Sequence, residues 1–271
     1  MLGGGNLYGL KNRPFRGLLG ASMIDIHCHI IPGVDDGSED FAESVSMGEA
    51  AASSGVTDII VTPHCNIPDM YRNYAGQGYD RAFEGLEQLF EENGVRIRLH
   101  RGMEVFGTDN IGRLIDDGRV ITMAGSRYML VEFPFDDDMW RLRDVLYDMW
   151  RRGVVPIIAH PERYYAVQDD VQFALDWADM GCLLQLNRTS ILAHPSAPEA
   201  KTAKRILDMG AAHFVATDAH GVFSRTAELL DVYEYVSERY SREWAEILMV
   251  ENPQRLIENR RILRLPMRER Y

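Results

Sequence analysis

The chain has 271 residues, 46% of them hydrophobic, and a formal net charge of −12. A core large enough for a full domain is therefore available, while so acidic a balance argues against a nucleic-acid surface. Three cysteines without a C-x-x-C spacing read as reduced thiols of a cytoplasmic protein, and no apolar run approaches membrane-spanning length.

Residues 1–22, MLGGGNLYGLKNRPFRGLLGAS, lack the apolar core of a signal peptide and read as an N-terminal extension. No Ser/Gly/Pro-rich linker divides the remainder, so residues 23–271 are expected to form one domain. The first strand is IDIHCH. After the turn PGVDDG, Phe41, Val45, Gly48 and Ala52 make the stripe of an amphipathic helix that ends at Gly55. The strand VTDIIVTPH comes next, then a helix over Phe83 to Glu92 that stops near Gly94, and then the strand VRIRLHRGMEV. RYMLVEF is the fourth strand. Leu142, Val145, Leu146 and Met149 line a helix ahead of Gly153 and VVPIIAH. Val171, Ala174, Leu175 and Ala178 do the same ahead of Gly181 and CLLQLN, and Ala203, Ile206 and Leu207 ahead of Gly210 and AAHFVATDAH. The arginine-rich end, NRRILRLPMRERY, reads as a solvated basic tail.

Strands alternating with helices are parallel, and seven such units make either an open α/β sheet or a barrel. The polar residues decide between them. His27 and His29 end strand one, His64 strand two, Glu104 strand three, Glu132 strand four, His160 strand five, Asn187 strand six, and Asp218 and His220 strand seven. An open sheet would spread these ends over more than about 25 Å, at roughly 4.8 Å per strand, whereas a barrel gathers them at one mouth. A TIM-like, distorted (β/α)7 barrel is expected.

Such a density of buried ionisable groups needs a counter-charge, and divalent cations supply it. Alternation along the first strand puts Asp25, His27 and His29 on one face and Cys28 on the other. His27 and His29 would hold an ion, and the turn at Pro32 and Gly33 would bring Asp36 back as a further ligand. Asp35 is expected to bond the Gly37 turn, and Asp25 to orient a histidine. Nitrogen and oxygen donors without thiolate suit manganese, iron or zinc alike. His100 and His213 lie early in their strands and read as structural; His194, in the loop after strand six on the mouth side, reads by default as an ordinary loop histidine, with substrate contact as the alternative.

The blocks DIHCHIIPGVDDG, TPH, GME, VEFPF, AHPERY and TDAH resemble, in order and spacing, the PHP superfamily, named for polymerase and histidinol phosphatase. More narrowly, they are similar to the bacterial capsule and exopolysaccharide manganese-dependent protein-tyrosine phosphatases. The resemblance runs from Met23 to about Ile257. It implies a centre of three divalent ions, most often manganese, held by His27, His29, Asp36, His64, Glu104, Glu132, His160, Asp218 and His220. It also implies that Arg163 and Arg225 hold phosphate, as paired guanidinium donors can, and that the substrate is a tyrosine-autophosphorylating kinase of polysaccharide export.

In that chemistry, ions sharing a water lower its pKa to give a nucleophile that attacks phosphorus in line, with the arginines neutralising the equatorial oxygens. The one C-x5-R spacing, Cys182 to Arg188, runs along the strand CLLQLN rather than around a phosphate-cradling loop, so the nucleophile is expected to come from solvent. Alternatives are a histidinol-phosphate or other small-molecule phosphatase of the same superfamily, a metal-dependent amidohydrolase, and a non-catalytic metal-binding regulatory module. The amidohydrolase would need a bridging lysine where Glu132 stands, and the module would lack ligands.

Overall fold

The computed structural model describes residues 22–136 and 139–266. Nearly all of the N-terminal extension and the last five residues of the arginine-rich tail lie outside the described residues.

Among the described residues, nine strands run in chain order: β1 (Met23–Cys28), β2 (Val56–Val61), β3 (His64–Cys65), β4 (Arg98–Arg101), β5 (Glu104–Phe106), β6 (Tyr128–Glu132), β7 (Val155–Ala159), β8 (Leu183–Asn187) and β9 (Phe214–Ala216). All pairings are parallel and fall into two sheets, β1-β2-β4 and β3-β5-β6-β7-β8-β9.

The two expected strands VTDIIVTPH and VRIRLHRGMEV are each broken in two. Pro63 offers no N–H to a ladder, and a Cβ on Gly102 would come within 2.7 Å of Ile60 Cγ2. Register nevertheless carries across both breaks: Val61 pairs with Arg101 and His64 with Glu104, a constant offset of 40. Seven strand positions therefore stand side by side. The last meets the first only through an isolated parallel bridge, Cys28 to Ala219, with His29 N–H donating to Ala219 O at 2.9 Å and Asp218 N–H to His27 O at 2.8 Å.

Eleven α-helical segments connect and cover the strands among the described residues. They are α1 (Phe41–Ser53), α2 (Gln77–Asn93), α3 (Ile111–Asp116), α4 (Met139–Trp150), α5 (Tyr165–Asp169), α6 (Gln172–Asp179), α7 (Arg188–Leu192), α8 (Pro198–Asp208), α9 (Leu230–Arg239), α10 (Arg242–Glu246) and α11 (Asn252–Ile257). α2 starts six residues before the expected Phe83, because Tyr79 is buried with Phe83, Leu86 and Phe90 and extends the same stripe.

Two apolar clusters separate the faces of the strands. Met47, Leu86, Leu146, Trp177 and Ile206 of the helices pack with Ile59, Val61, Val131, Ile158 and Leu184. Ile24, Ile26, Ile60, Leu130, Ile157, Leu183 and Phe214 form the other cluster. The polar site lies beyond this second cluster, at the C-terminal ends of the strands. None of the described helices is long and apolar enough to cross a membrane.

Candidate active site

Strand β1 delivers its histidines through an irregularity. Asp25 pairs with Ile59 and Cys28 with Val61, so three steps on β1 match two on β2, the count of a β-bulge. Ile24 and Ile26 share one cluster, which puts Asp25 on the opposite face, and the extra residue turns His27 back toward the site. The expectation that Asp25 orients a histidine ring is thereby corrected. Its carboxylate accepts from Thr217 N–H at 3.1 Å, Thr217 Oγ1 at 2.5 Å and the backbone N–H of His27 at 3.3 Å. Burial pushes this carboxyl up to about 6.

The turn after β1 folds tightly over His29. Gly33 N–H donates to Ser38 O, and Ser38 N–H to His29 O. A Cβ on Gly37 would lie 2.1 Å from His29 O, so only glycine fits there. Asp35 bonds Gly37 N–H at 3.0 Å as expected, and also faces His29 Nδ1 at 2.8 Å and accepts from His64 N–H at 2.9 Å. That leaves His29 Nε2 pointing inward.

All nine expected ligand side chains converge. Glu104 Oε2 lies 3.3 Å from His27 Nε2, 3.3 Å from His29 Nε2 and 3.0 Å from His64 Nδ1, while Oε1 bonds His160 Nε2 at 3.0 Å. Glu132 Oε1 is 3.2 Å from His64 Nδ1. Asp36 Oδ1 stands between His64 Nε2 at 3.4 Å and His220 Nε2 at 3.6 Å. Asp218 Oδ1 is 3.3 Å from His27 Nε2.

Despite this crowding, Glu104 Oε2, His64 Nδ1, Asp218 Oδ1 and His220 Nε2 are buried without a well-formed hydrogen bond. Lone pairs aimed at common points rather than at one another are what a cation requires. Three overlapping groups could each hold an ion: His29, Asp36, His64 and His220; His27, His29 and Glu104; and His64, Glu104 and Glu132. The donor set fits a divalent metal.

Charge reports the same arrangement. Burial alone pulls His64 down, but Glu104 and Glu132 outweigh it and push the imidazole up to about 12. Against burial, Asp35 lifts His29 to about 9. Burial would raise Glu104, yet His27, His64 and His160 hold it well below the usual carboxylate range. His160 and Asp218 also adopt left-handed backbone, φ 35° and 52°, a conformation that costs roughly 1–3 kcal/mol for a residue with a side chain.

Two residues to which the sequence assigned no role complete the cluster. His27 Nδ1 donates to Gln185 Oε1 at 2.9 Å, Gln185 Nε2 donates to Asn187 Oδ1 at 2.8 Å, and Asn187 Nδ2 donates to Asp218 Oδ2 at 2.6 Å. The signal was present in CLLQLN, where two amides two apart share one strand face.

Arg225 Nη2 lies 2.6 Å and Arg163 Nη1 3.5 Å from Asp218 Oδ2, so both expected arginines stand at the edge of the cluster. The Arg163 guanidinium sits over the Phe135 ring at 4.6 Å. Other histidines lie apart. His100 pairs with Asp58 at 2.8 Å, and His213 accepts from Leu184 N–H at 3.1 Å, both structural as expected. His194 is exposed and bonds Ser196.

Residues 23–258 match the family described as "Capsular polysaccharide synthesis, CpsB/CapC". Tyrosine-protein phosphatase YwqE of Bacillus subtilis (strain 168) is 30% identical over 244 residues, 90% of this chain and 95% of that protein. Tyrosine-protein phosphatase CpsB of Streptococcus pneumoniae is 28% identical over 255 residues, 87% and 98% of the two chains. A solved structure from a study of these two enzymes, described there as metal-dependent tyrosine phosphatases, matches with a TM-score of 0.84 at 28% identity, covering 92% of this chain and 100% of that one. The phosphotriesterase homology protein of Escherichia coli shares the fold, with a TM-score of 0.58 at 11% identity over 88% of this chain and 99% of that one.

Proposed function

The chain belongs to the capsular polysaccharide synthesis CpsB/CapC family, and from that premise we propose that it is a metal-dependent phosphatase that hydrolyses phosphotyrosine in a polypeptide. The observation that carries this reading is the juxtaposition, around Glu104 and Asp218, of a nine-residue donor cluster with two arginines.

We read the three overlapping donor groups as sites for three divalent ions, manganese being the metal that the resemblance implies. His27, His29, Asp36, His64, Glu104, Glu132, His160, Asp218 and His220 would hold them. When bound, the ions would supply Lewis-acid charge on the phosphoryl oxygens and acidify water to furnish the nucleophile. Arg163 and Arg225 would grip the remaining phosphate oxygens with paired N–H donors, and the Phe135 ring, 4.6 Å from the Arg163 guanidinium, would help to hold it in place. A tyrosyl leaving group, with a pKa of about 10, departs without a strong general acid.

A thiol route finds no support in this chain. Cys28, Cys65 and Cys182 are all buried and free, and burial pushes the Cys65 thiol up to about 12. Buried thiols of this kind are poor nucleophiles. Three free thiols also favour a cytoplasmic location.

The seven strand positions are read as one TIM-like, distorted (β/α)7 barrel whose last seam is the Cys28 to Ala219 bridge. Residues 23–271 are taken as one phosphatase domain and 1–22 as an extension. The physiological substrate we infer is a tyrosine-autophosphorylating kinase of capsule or exopolysaccharide synthesis. Hydrolysis of a phosphotyrosine peptide should vanish with chelator, return with manganese and survive iodoacetamide. Activity that persists under exhaustive chelation, or none on phosphotyrosine with manganese present, contradicts the reading.

A further inference from the structure

The donor cluster opens into a cavity of about 450 Å³ that Arg163 and Arg225 share with Phe135, Tyr165 and Glu199. Exposure marks its direction. Asp218 is 1% exposed, the arginine side chains about a third (35% and 33%), and Tyr165 59%. The two arginines thus line the cavity beside the buried Asp218, the exposed Tyr165 ring marks its mouth, and the part-buried Phe135 and Glu199 complete its wall.

Local packing holds these walls in place. Tyr165 N–H donates to Phe135 O at 2.9 Å, tying the segment after β7 to the one after β6. Glu199 stands in the first turn of α8. Its carboxylate makes no hydrogen bond or ion pair among the described residues. A carboxylate in a helix's first turn is favourable by itself, but here it also faces a cavity whose other charged groups are Arg163, Arg225 and the Asp218 they engage. A ligand complementary to this cavity offers an anion to the arginines, a flat ring to Tyr165 and Phe135, and a cation to Glu199.

We propose that this groove reads the surroundings of the phosphotyrosine: Tyr165 and Phe135 flank the phenyl ring, and Glu199 selects a lysine or arginine beside it in the substrate polypeptide. The inference rests on the phosphatase reading and adds the sequence context to it. The chain's net charge of −12 works in the same direction, since acidic segments are repelled at long range.

Two phosphotyrosine peptides that differ only in lysine or glutamate next to the phosphorylated residue test it, with manganese and low salt. The native chain should favour the lysine peptide in kcat/KM by about twofold to fivefold, the scale of one half-exposed ion pair. Glu199→Gln should bring the ratio toward one, and Glu199→Lys should invert it, which a folding defect would not do. Tyr165→Ala should raise KM more for the phosphotyrosine peptide than for a phosphoserine peptide of the same sequence. A lysine-to-glutamate ratio unchanged in Glu199→Lys overturns the proposal, as does a native preference for small aminoalkyl phosphates over both peptides. Failure of the native chain on both peptides would instead remove the phosphatase reading, and this proposal with it.

Discussion

Gln185 Oε1 lies 2.9 Å from His27 Nδ1, and that bond dictates which ring nitrogen of His27 faces the donor cluster. Because Gln185 accepts from His27, its amide nitrogen must donate to Asn187, and Asn187 must in turn donate to Asp218. One line of amides on β8 thus sets a histidine of β1 and a carboxylate at the end of β9. Asp218 Oδ2 is engaged by Asn187 and Arg225, which leaves Oδ1 for the cluster.

Gln185→Leu removes both ends of this relay while keeping an apolar side chain of similar length in a buried position. Metal affinity should fall about 10- to 100-fold, the usual cost of losing a partner of a metal-binding histidine. Manganese titration followed by the free-ion EPR signal reads it directly. Native affinity in the variant would mean that His27 is oriented by something else.

Arg163→Ala leaves every proposed metal ligand in place and removes one guanidinium from the groove. The expected result is an unchanged metal content with kcat/KM on a phosphotyrosine peptide lowered by about 10². A variant with lowered metal content and intact turnover per bound ion would assign Arg163 a structural part instead.

Stability should respond to pH in opposite senses at two sets of histidines. In the metal-free protein His29 is raised to about 9 and His64 to about 12, above the ordinary 6.5. The stability they contribute is fully present below pH 6.5 and is lost as pH rises toward 9 and beyond. Chelated protein should therefore melt at lower temperature at pH 9 than at pH 6.5. Metal binding should reverse that slope, because an ion competes with the same protons. Thermal melts with chelator and with manganese across this range check both signs.

His213 behaves the other way. Burial pulls it down to about 4, so the folded protein holds it neutral and loses stability as pH falls from 6.5 toward 4. Replacing His213 with Gln should flatten that acid limb at some cost in absolute stability, since Leu184 N–H loses the ring nitrogen it donates to. An acid limb identical in the variant would locate the effect elsewhere.

Gly37→Ala forces a methyl group against the backbone of His29. A loss of about 1–3 kcal/mol in chemical denaturation is expected, with weakened metal binding because His29 and Asp35 share that turn. Undiminished stability would mean the turn shifts freely.

Much of the architecture was legible in the residues. Helix stripes closed by glycines marked the alternation, and the ionisable residues at strand ends predicted a convergent site, which the distances around Glu104 bear out in position. What escaped was phase and continuity. Strict alternation put Asp25 beside His27, but a bulge depends on pairing with β2, which no local pattern encodes. The breaks at Thr62 to Pro63 and at Gly102 to Met103 were visible as a proline and a glycine, yet their effect depends on neighbouring strands. Gln185 and Asn187 were readable as neighbours on one face; their partners on β1 and near β9 lie more than 30 residues away in sequence or across the molecule.

Cations lying where Glu104 Oε2 faces three imidazoles are the central requirement of this chemistry. Crystals grown with manganese, measured at the manganese absorption edge, test it most directly. Anomalous peaks should appear within coordinating distance of Glu104, His27, His29 and His64. An empty cluster in a crystal whose dissolved protein still hydrolyses phosphotyrosine would contradict it.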